Sequence, residues 1–208
     1  MVNYRMIIND SEKFIFVHIP KNSGTEMGNS LLKEYNDSIL LIGGDTSTNY
    51  DRMHLYVNIQ YVFIPEIKLN DYFKFCITRN PYNKVISAYY NIKDRFPFEN
   101  INEFIINKLC VEFIFSSHLH EASVHFRPQY TFIFRDDGEL DVQHILRYEF
   151  LNQDISEMNK KYNMKVPLYG NPQKYQESKY KTLLSPESIK KINILYEKDF
   201  ELLNYVKN

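Results

Sequence analysis

The chain has 208 residues, 44% of them hydrophobic, and a formal net charge of −1. That length and apolar content suit one sizeable α/β domain spanning 1–208 and exclude a disordered chain. The near-zero charge excludes a broad basic face, so duplex nucleic acid is not an expected partner and any functional positive charge must be local.

Residues 1–13 are polar and read as a short lead-in. Residues 14–19 follow as a strand rich in aromatic and β-branched side chains, and Pro20 ends it because proline donates nothing to a ladder. Lys21, Asn22, Ser23, Gly24 and Thr25 form a tight polar loop, after which Met27, Leu31 and Leu32 recur at helical spacing, so a helix is expected over 25–36. A second short strand over 39–42 stops at Gly43 and Gly44, residues 45–51 read as a loop, and helix or turn is expected around 55–61. A third strand covers 72–78, and Asn80-Pro81 reads as an N-cap followed by a first-turn proline, opening a helix to about residue 94 whose core face carries Val85, Ile86, Tyr89 and Tyr90.

A further apolar helix is expected over 101–115, and a loop over 121–129 carries His125, Arg127 and Pro128. Residues 130–134 and 140–147, joined through Asp137-Gly138, read as a hairpin or two short strands. Residues 151–162 are helical, 163–181 are loop-rich, and Ser185-Pro186 caps a last helix with Ile189, Ile192, Leu195, Tyr196 and Phe200 as its apolar stripe. Strands alternating with helices favour a parallel sheet flanked by helices. Cys76 and Cys110 lie in apolar runs and read as two buried free thiols. No apolar run approaches the roughly 20 residues of a membrane span, and residues 1–5 lack a signal-peptide core, so the expected setting is the cytoplasm.

Two places carry chemistry. The loop from Lys21 to Thr25 sits between a strand and a helix N-terminus, where backbone N–H groups, the helix dipole, the Lys21 ammonium and the Ser23 and Thr25 hydroxyls converge as an anion cradle. It is not a Walker loop, whose lysine follows its second glycine. The third strand ends in the same way: Arg79 stands at its C-terminal edge, where open α/β sheets bind ligands, and Ser87 lies early on the next helix. Two anion sites at one sheet edge imply a ligand with two separate phosphate-like groups.

Phe16-Val-His-Ile-Pro-Lys-Asn-Ser-Gly-Thr25 resembles the 5′-phosphosulfate loop of the sulfotransferase-2 family, which is similar to the Golgi enzymes that sulfate heparan and chondroitin. Ile77-Thr-Arg-Asn-Pro-Tyr-Asn-Lys-Val-Ile-Ser-Ala-Tyr-Tyr90 resembles its 3′-phosphate motif, His144-Ile-Leu-Arg-Tyr-Glu-Phe-Leu151 its late strand, and 183–205, with Tyr196-Glu-Lys-Asp-Phe200, its C-terminal helix. The resemblance implies a P-loop-like parallel sheet built on two strand–loop–helix units, 14–36 and 72–94. It implies 3′-phosphoadenosine 5′-phosphosulfate (PAPS) as donor and adenosine 3′,5′-bisphosphate as product. Lys21, Asn22, Ser23, Gly24 and Thr25 would then hold the 5′-phosphosulfate, and Arg79 and Ser87 the 3′-phosphate.

The family acts mostly on carbohydrate hydroxyls, so a glycan or glycoside acceptor is implied, in a bacterial or viral setting. In-line transfer asks for charge stabilisation on the bridging oxygen, a role for Lys21, and for a general base. His54 matches the family histidine between the two phosphate motifs and is the first candidate. His125, in His125-Phe-Arg-Pro-Gln129, resembles a segment near the acceptor side, with Arg127 as a contact for an acidic acceptor. His18 reads as a strand residue and His144 as structural, while Glu149 is either a second base or a partner of Arg147. His118, His120 and His125 lack a carboxylate or cysteine at metal-site spacing, and no metal is expected. A small-molecule P-loop kinase and an inactive nucleotide- or glycan-binding module are the alternatives.

Overall fold

The structure, a computed structural model, describes residues 4–43, 71–116, 120–169 and 180–208. His54, the expected loop over 45–51, the expected helix or turn over 55–61, His118 and the central part of the 163–181 loop lie outside the described residues. In chain order the elements are β1 (Tyr4–Asn9), β2 (Phe14–Val17), α1 (Gly24–Glu34), β3 (Ile39–Gly43), β4 (Phe73–Thr78), α2 (Pro81–Ile92), α3 (Ile101–Asn107), α4 (Val111–Ile114), α5 (His120–Ser123), β5 (His144–Arg147), α6 (Leu151–Tyr162), α7 (Tyr180–Leu183), α8 (Pro186–Leu195) and α9 (Glu197–Leu202). They fall into two compact units, Met1–Thr78 with Thr131–Gln176, and Arg79–Tyr130 with Glu177–Asn208.

The first unit is built on a five-stranded sheet of order β3-β1-β2-β4-β5. β2 pairs in parallel with β4, and β4 with β5, whereas β1 runs against both β2 and β3. Four strands therefore point one way, and the expected parallel sheet flanked by helices is present. β2, an unbroken apolar run, and the last five residues of β4 are buried; in β4 the charged exception to the apolar pattern is Lys74, whose Nζ donates to Asp141 Oδ1 at 3.0 Å. Phe14, Phe16, Phe75 and Ile77 on one face pack with Met27 and Leu31 of α1 and with Leu151, Ile155 and Met158 of α6.

The lead-in over 1–13 is corrected to a strand and a turn. Ile7 and Ile8 are buried, and the hairpin register is Ile7↔Phe16, Ile8↔Ile15 and Asn9↔Phe14. Polar Asn9 hides the pattern: it is fully buried because its Nδ2 donates to Asp37 Oδ1 at 2.7 Å and Ser38 Oγ at 3.0 Å, while its Oδ1 accepts from Glu12 N at 2.6 Å.

The second unit is helical around an aromatic core. Phe104 lies within 6.0 Å, centroid to centroid, of the rings of Tyr89, Phe96, Phe98, Phe113 and Phe126. Here the expected single helix over 101–115 is two pieces. Lys108 N and Leu109 N both donate to Phe104 O, closing α3, and Leu109 is buried. Cys110 then stands in extended backbone before α4 and is only partly buried, while Cys76 is buried as expected. Tyr90 is exposed rather than in the core. The last helix breaks at Tyr196 into α8 and α9, with Ile192, Tyr196 and Phe200 buried.

The expected strand over 130–134 is also overturned: Gln129–Phe132 is a 3-10 turn, and only an isolated bridge joins Phe134 to Leu140. The N–H groups of Gln129 and Tyr130 both donate to the Asp199 carboxylate and are lost to any ladder. Among the described residues no helix is long and apolar enough to cross a membrane.

Both expected caps are formed. Asn80 Oδ1 accepts from Tyr82 N at 3.1 Å with Pro81 in the first turn of α2, and Ser185 Oγ accepts from Ser188 N at 3.2 Å with Pro186 opening α8. Asn80→Ala should lower stability by about 1 kcal/mol in urea unfolding without altering the denaturant slope; no loss would mean that the cap is not holding α2.

Candidate active site

The chain leaves β2 through His18, Ile19 and Pro20 and turns into α1 within three residues. Two of those residues, Lys21 (φ 71°) and Ser23 (φ 64°), are left-handed although neither is glycine. Each such residue costs on the order of 1–2 kcal/mol and persists only where the surroundings over-determine it. Two contacts do so. Asn22 is buried between the two left-handed residues, and its Nδ2 donates to Ile77 O at 2.8 Å. The β2–β4 register ends at Val17↔Cys76, so the amide of Asn22 serves the carbonyl one residue beyond the paired strands.

The second contact is His18 against Gly24. The imidazole lies so close to the Gly24 α-carbon that a Cβ there would fall inside the van der Waals radii of His18 Cδ2 and Nε2. The same ring stacks on Phe16, centroids 6.3 Å apart and planes 17° off parallel. Gly24 is therefore needed for space, and His18, which reads as an ordinary strand residue in the sequence, shapes the loop.

The first intrahelical bond of α1 runs from Met27 N to Ser23 O at 3.0 Å, so the N–H groups of Gly24, Thr25 and Glu26 precede the helical ladder. The Ser23 side chain does not cap them; its hydroxyl donates to Glu26 Oε2 at 3.0 Å. Thr25 is exposed, and Lys21 and Ser23 are partly buried. An 11-residue helix with an uncapped N-terminus, a lysine and two hydroxyls beside it has the chemistry of an anion site.

The second unit holds Arg79, Ser87, His125 and Arg127. Arg79 is the first residue after β4 and precedes the Asn80 cap; Ser87 lies in the second turn of α2, partly buried. The backbone of Arg79 is clasped by one side chain: Arg79 N donates to Gln129 Oε1 at 2.8 Å, and Gln129 Nε2 donates to Arg79 O at 2.7 Å. Gln129 is itself fixed by Asp199, which accepts from Gln129 N and Tyr130 N, each at 2.8 Å. Lys84, fully buried, donates from Nζ to the carbonyls of His125 and Arg127, both at 2.8 Å, and Tyr196 Oη donates to Phe126 O at 2.6 Å.

His125 and Arg127 are 4% and 6% exposed, so the segment expected near an acceptor presents little of either side chain. The Arg127 guanidinium lies 5.9 Å from the centroid of the Phe115 ring. Burial pushes the Asp199 carboxyl up to about 6, with the N–H donors of Gln129 and Tyr130 and the Lys84 charge pulling the other way.

Arg147, for which the sequence offered Glu149 as a partner, pairs with Asp154, Nε–Oδ2 at 2.9 Å and Nη2–Oδ1 at 2.6 Å. Among the described residues no group of three or more His, Cys, Asp or Glu side chains could hold a metal ion. Sequence reasoning missed His18, Lys84, Gln129 and Asp199 as organisers, although each lies inside a segment that carries the family resemblance: 16–25, 77–90, 125–129 and 183–205.

The profile of the sulfotransferase family (Sulfotransfer_2) matches residues 4–206, nearly the whole chain. The chain belongs to the sulfotransferase family. Its reaction class is sulfuryl transfer, and it is a transferase with an acceptor substrate. No curated protein and no solved structure matches it.

The His18–Gly24 contact makes a specific prediction. Gly24→Ala should destabilise the protein by about 1–3 kcal/mol, as overpacking does, whereas in a His18→Ala background the same change should cost under about 0.5 kcal/mol. Thermal unfolding of the four proteins measures this, and equal penalties in both backgrounds would show that His18 does not define the loop.

Proposed function

We propose that the chain transfers a sulfuryl group from PAPS to a hydroxyl of a carbohydrate or glycoside acceptor. The observation that carries the proposal is the loop Lys21–Thr25, two left-handed residues braced by Asn22 and His18 at the N-terminus of α1, in a chain of the sulfotransferase family. A loop held in strained backbone by buried contacts is preorganised for charge and needs no rearrangement when charge develops.

In this reading Lys21, Asn22, Ser23, Gly24 and Thr25 hold the 5′-phosphosulfate. Asn22 acts through the bond that fixes the loop, Gly24 and Thr25 offer N–H groups ahead of the helical ladder, and Lys21 neutralises charge on the bridging oxygen as the S–O bond to the nucleotide breaks. Arg79 and Ser87 hold the 3′-phosphate; a guanidinium fork suits a phosphate dianion, and Ser87 adds a hydroxyl from α2. His54 takes the proton from the acceptor hydroxyl, a contribution worth about 10²–10⁴-fold in such chemistry. His125 and Arg127 belong to the acceptor side, where the small exposed part of Arg127 would meet an acidic sugar. The step balances: the acceptor oxygen gains the sulfuryl group, adenosine 3′,5′-bisphosphate leaves with the bridging electrons, and the proton passes to the base.

Calorimetric titration with adenosine 3′,5′-bisphosphate in magnesium-free buffer tests the donor site. Micromolar binding is expected, weakened about tenfold or more in Lys21→Ala and in Arg79→Ala. No binding, or binding that requires magnesium and prefers ATP, would overturn the proposal in favour of a phosphoryl-transfer enzyme.

A further inference from the structure

We infer that Gln129 and Asp199 are positioning residues for Arg79, holding its backbone so that its guanidinium is preset for the 3′-phosphate of the nucleotide. The inference rests on the donor site proposed above and concerns residues of the second unit alone.

The reason begins with β4. Its register with β5 ends at Thr78↔Arg147, so the N–H and C=O of Arg79 lie just past the last strand pair. A phosphate-binding arginine on an unanchored backbone would pay for its order at the moment of binding. Gln129 removes that cost in advance. Its amide is the one neutral side-chain group that accepts from an N–H and donates to a C=O through adjacent atoms, so it pairs with Arg79 as a neighbouring strand would. Gln129 is fully buried, and so is Asp199, whose carboxylate takes two successive N–H groups at the start of the 3-10 turn.

A buried carboxylate is costly, and one placed here solely to hold a turn would be a poor choice for stability. Its position makes sense when the turn carries the clasp on Arg79. Lys84 and Tyr196 grip the same segment through the carbonyls of His125, Phe126 and Arg127, so 125–130 is a rigid platform under the arginine. The ionisable groups that face Asp199 among the described residues are Lys84, Tyr130 and Tyr196; Lys198, on its own helix, lies 5.2 Å from the centroid of the Tyr130 ring.

The experiment compares adenosine 3′,5′-bisphosphate with adenosine 5′-phosphate, titrated into wild type, Gln129→Leu, Asp199→Asn, Arg79→Ala and the Gln129→Leu/Arg79→Ala pair, with thermal melts recorded for each. The readout is the ratio of the dissociation constant of adenosine 5′-phosphate to that of adenosine 3′,5′-bisphosphate, the preference for the bisphosphate, because only the bisphosphate carries the 3′-phosphate. Gln129→Leu should cut that ratio about tenfold or more while leaving affinity for the 5′-phosphate in place, and in the Arg79→Ala background it should change the ratio by less than about twofold. Equal losses for both ligands, or the same loss with and without Arg79, would overturn the inference, leaving Gln129 as a fold-supporting residue only.

A pH series on unmodified protein covers the case in which Gln129→Leu does not fold. As pH falls through about 6, protonation of Asp199 turns one of its acceptor oxygens into a donor facing an N–H, and the clasp loosens. The ratio should therefore fall from pH 7 to pH 5 more steeply in wild type than in Asp199→Asn, which shares every other titrating group with wild type but lacks the Asp199 carboxyl. Parallel profiles would overturn the inference. A wild type with no preference for the bisphosphate is a different result: it would sink the donor site itself.

Discussion

The bond from Asn22 to the Ile77 carbonyl ties the end of β2 to the end of β4, and the candidate chemistry of the first unit hangs on it. It satisfies two polar groups at once, a buried amide and a carbonyl beyond the strand register, in a place where water cannot serve either. It also explains how Lys21 and Ser23 stay left-handed. A loop anchored at its middle residue has its flanking dihedrals dictated, and the His18 ring against Gly24 closes the remaining freedom. Local strain is thus stored at the loop proposed to meet an anion, and the apolar sheet supplies the stability that offsets it.

The same device recurs after β4 in the second unit, with a different residue. Gln129 does for Arg79 what Asn22 does for Ile77: a side-chain amide stands in for a strand that is not there. The two segments proposed to hold the nucleotide's anionic groups are therefore braced by the same kind of bond. Side-chain amides are well suited to this, since they carry donor and acceptor together without a charge to desolvate. The charges that are buried, Lys84 and Asp199, serve carbonyls and N–H groups of one short segment; that arrangement is costly in a purely structural role and apt for a preorganised site.

Local chemistry was legible in the sequence, and long-range satisfaction was not. The strand–loop–helix from Phe14 into α1 and the Asn80 and Ser185 caps follow from apolar runs, prolines and capping residues within a few positions of one another, and the helix over 151–162 from the spacing of Leu151, Ile155 and Met158. β1 was missed because Asn9 looks like a surface residue until Asp37 and Ser38 reach it. The strand expected over 130–134 gives way to a 3-10 turn because its first N–H, that of Tyr130, is claimed with that of Gln129 by Asp199, some seventy positions later. At the site, Lys21 and Arg79 could be read from motif and strand-end position, whereas the work of His18 depends on a contact with Gly24 six positions away, and that of Gln129 on a clasp fifty positions away.

In the proposed reaction the braced loop at Lys21 handles a sulfuryl group. The most direct measurement is the transfer of radiolabelled sulfur from PAPS to a panel of simple glycosides in metal-free buffer, by wild type and Lys21→Ala. Incorporation by wild type is expected, with a loss of about 10²–10³-fold in turnover on removing the lysine, as for other preorganised charge-stabilising groups. Incorporation indifferent to Lys21, or transfer of the γ-phosphoryl of ATP in place of the sulfuryl of PAPS, would contradict it.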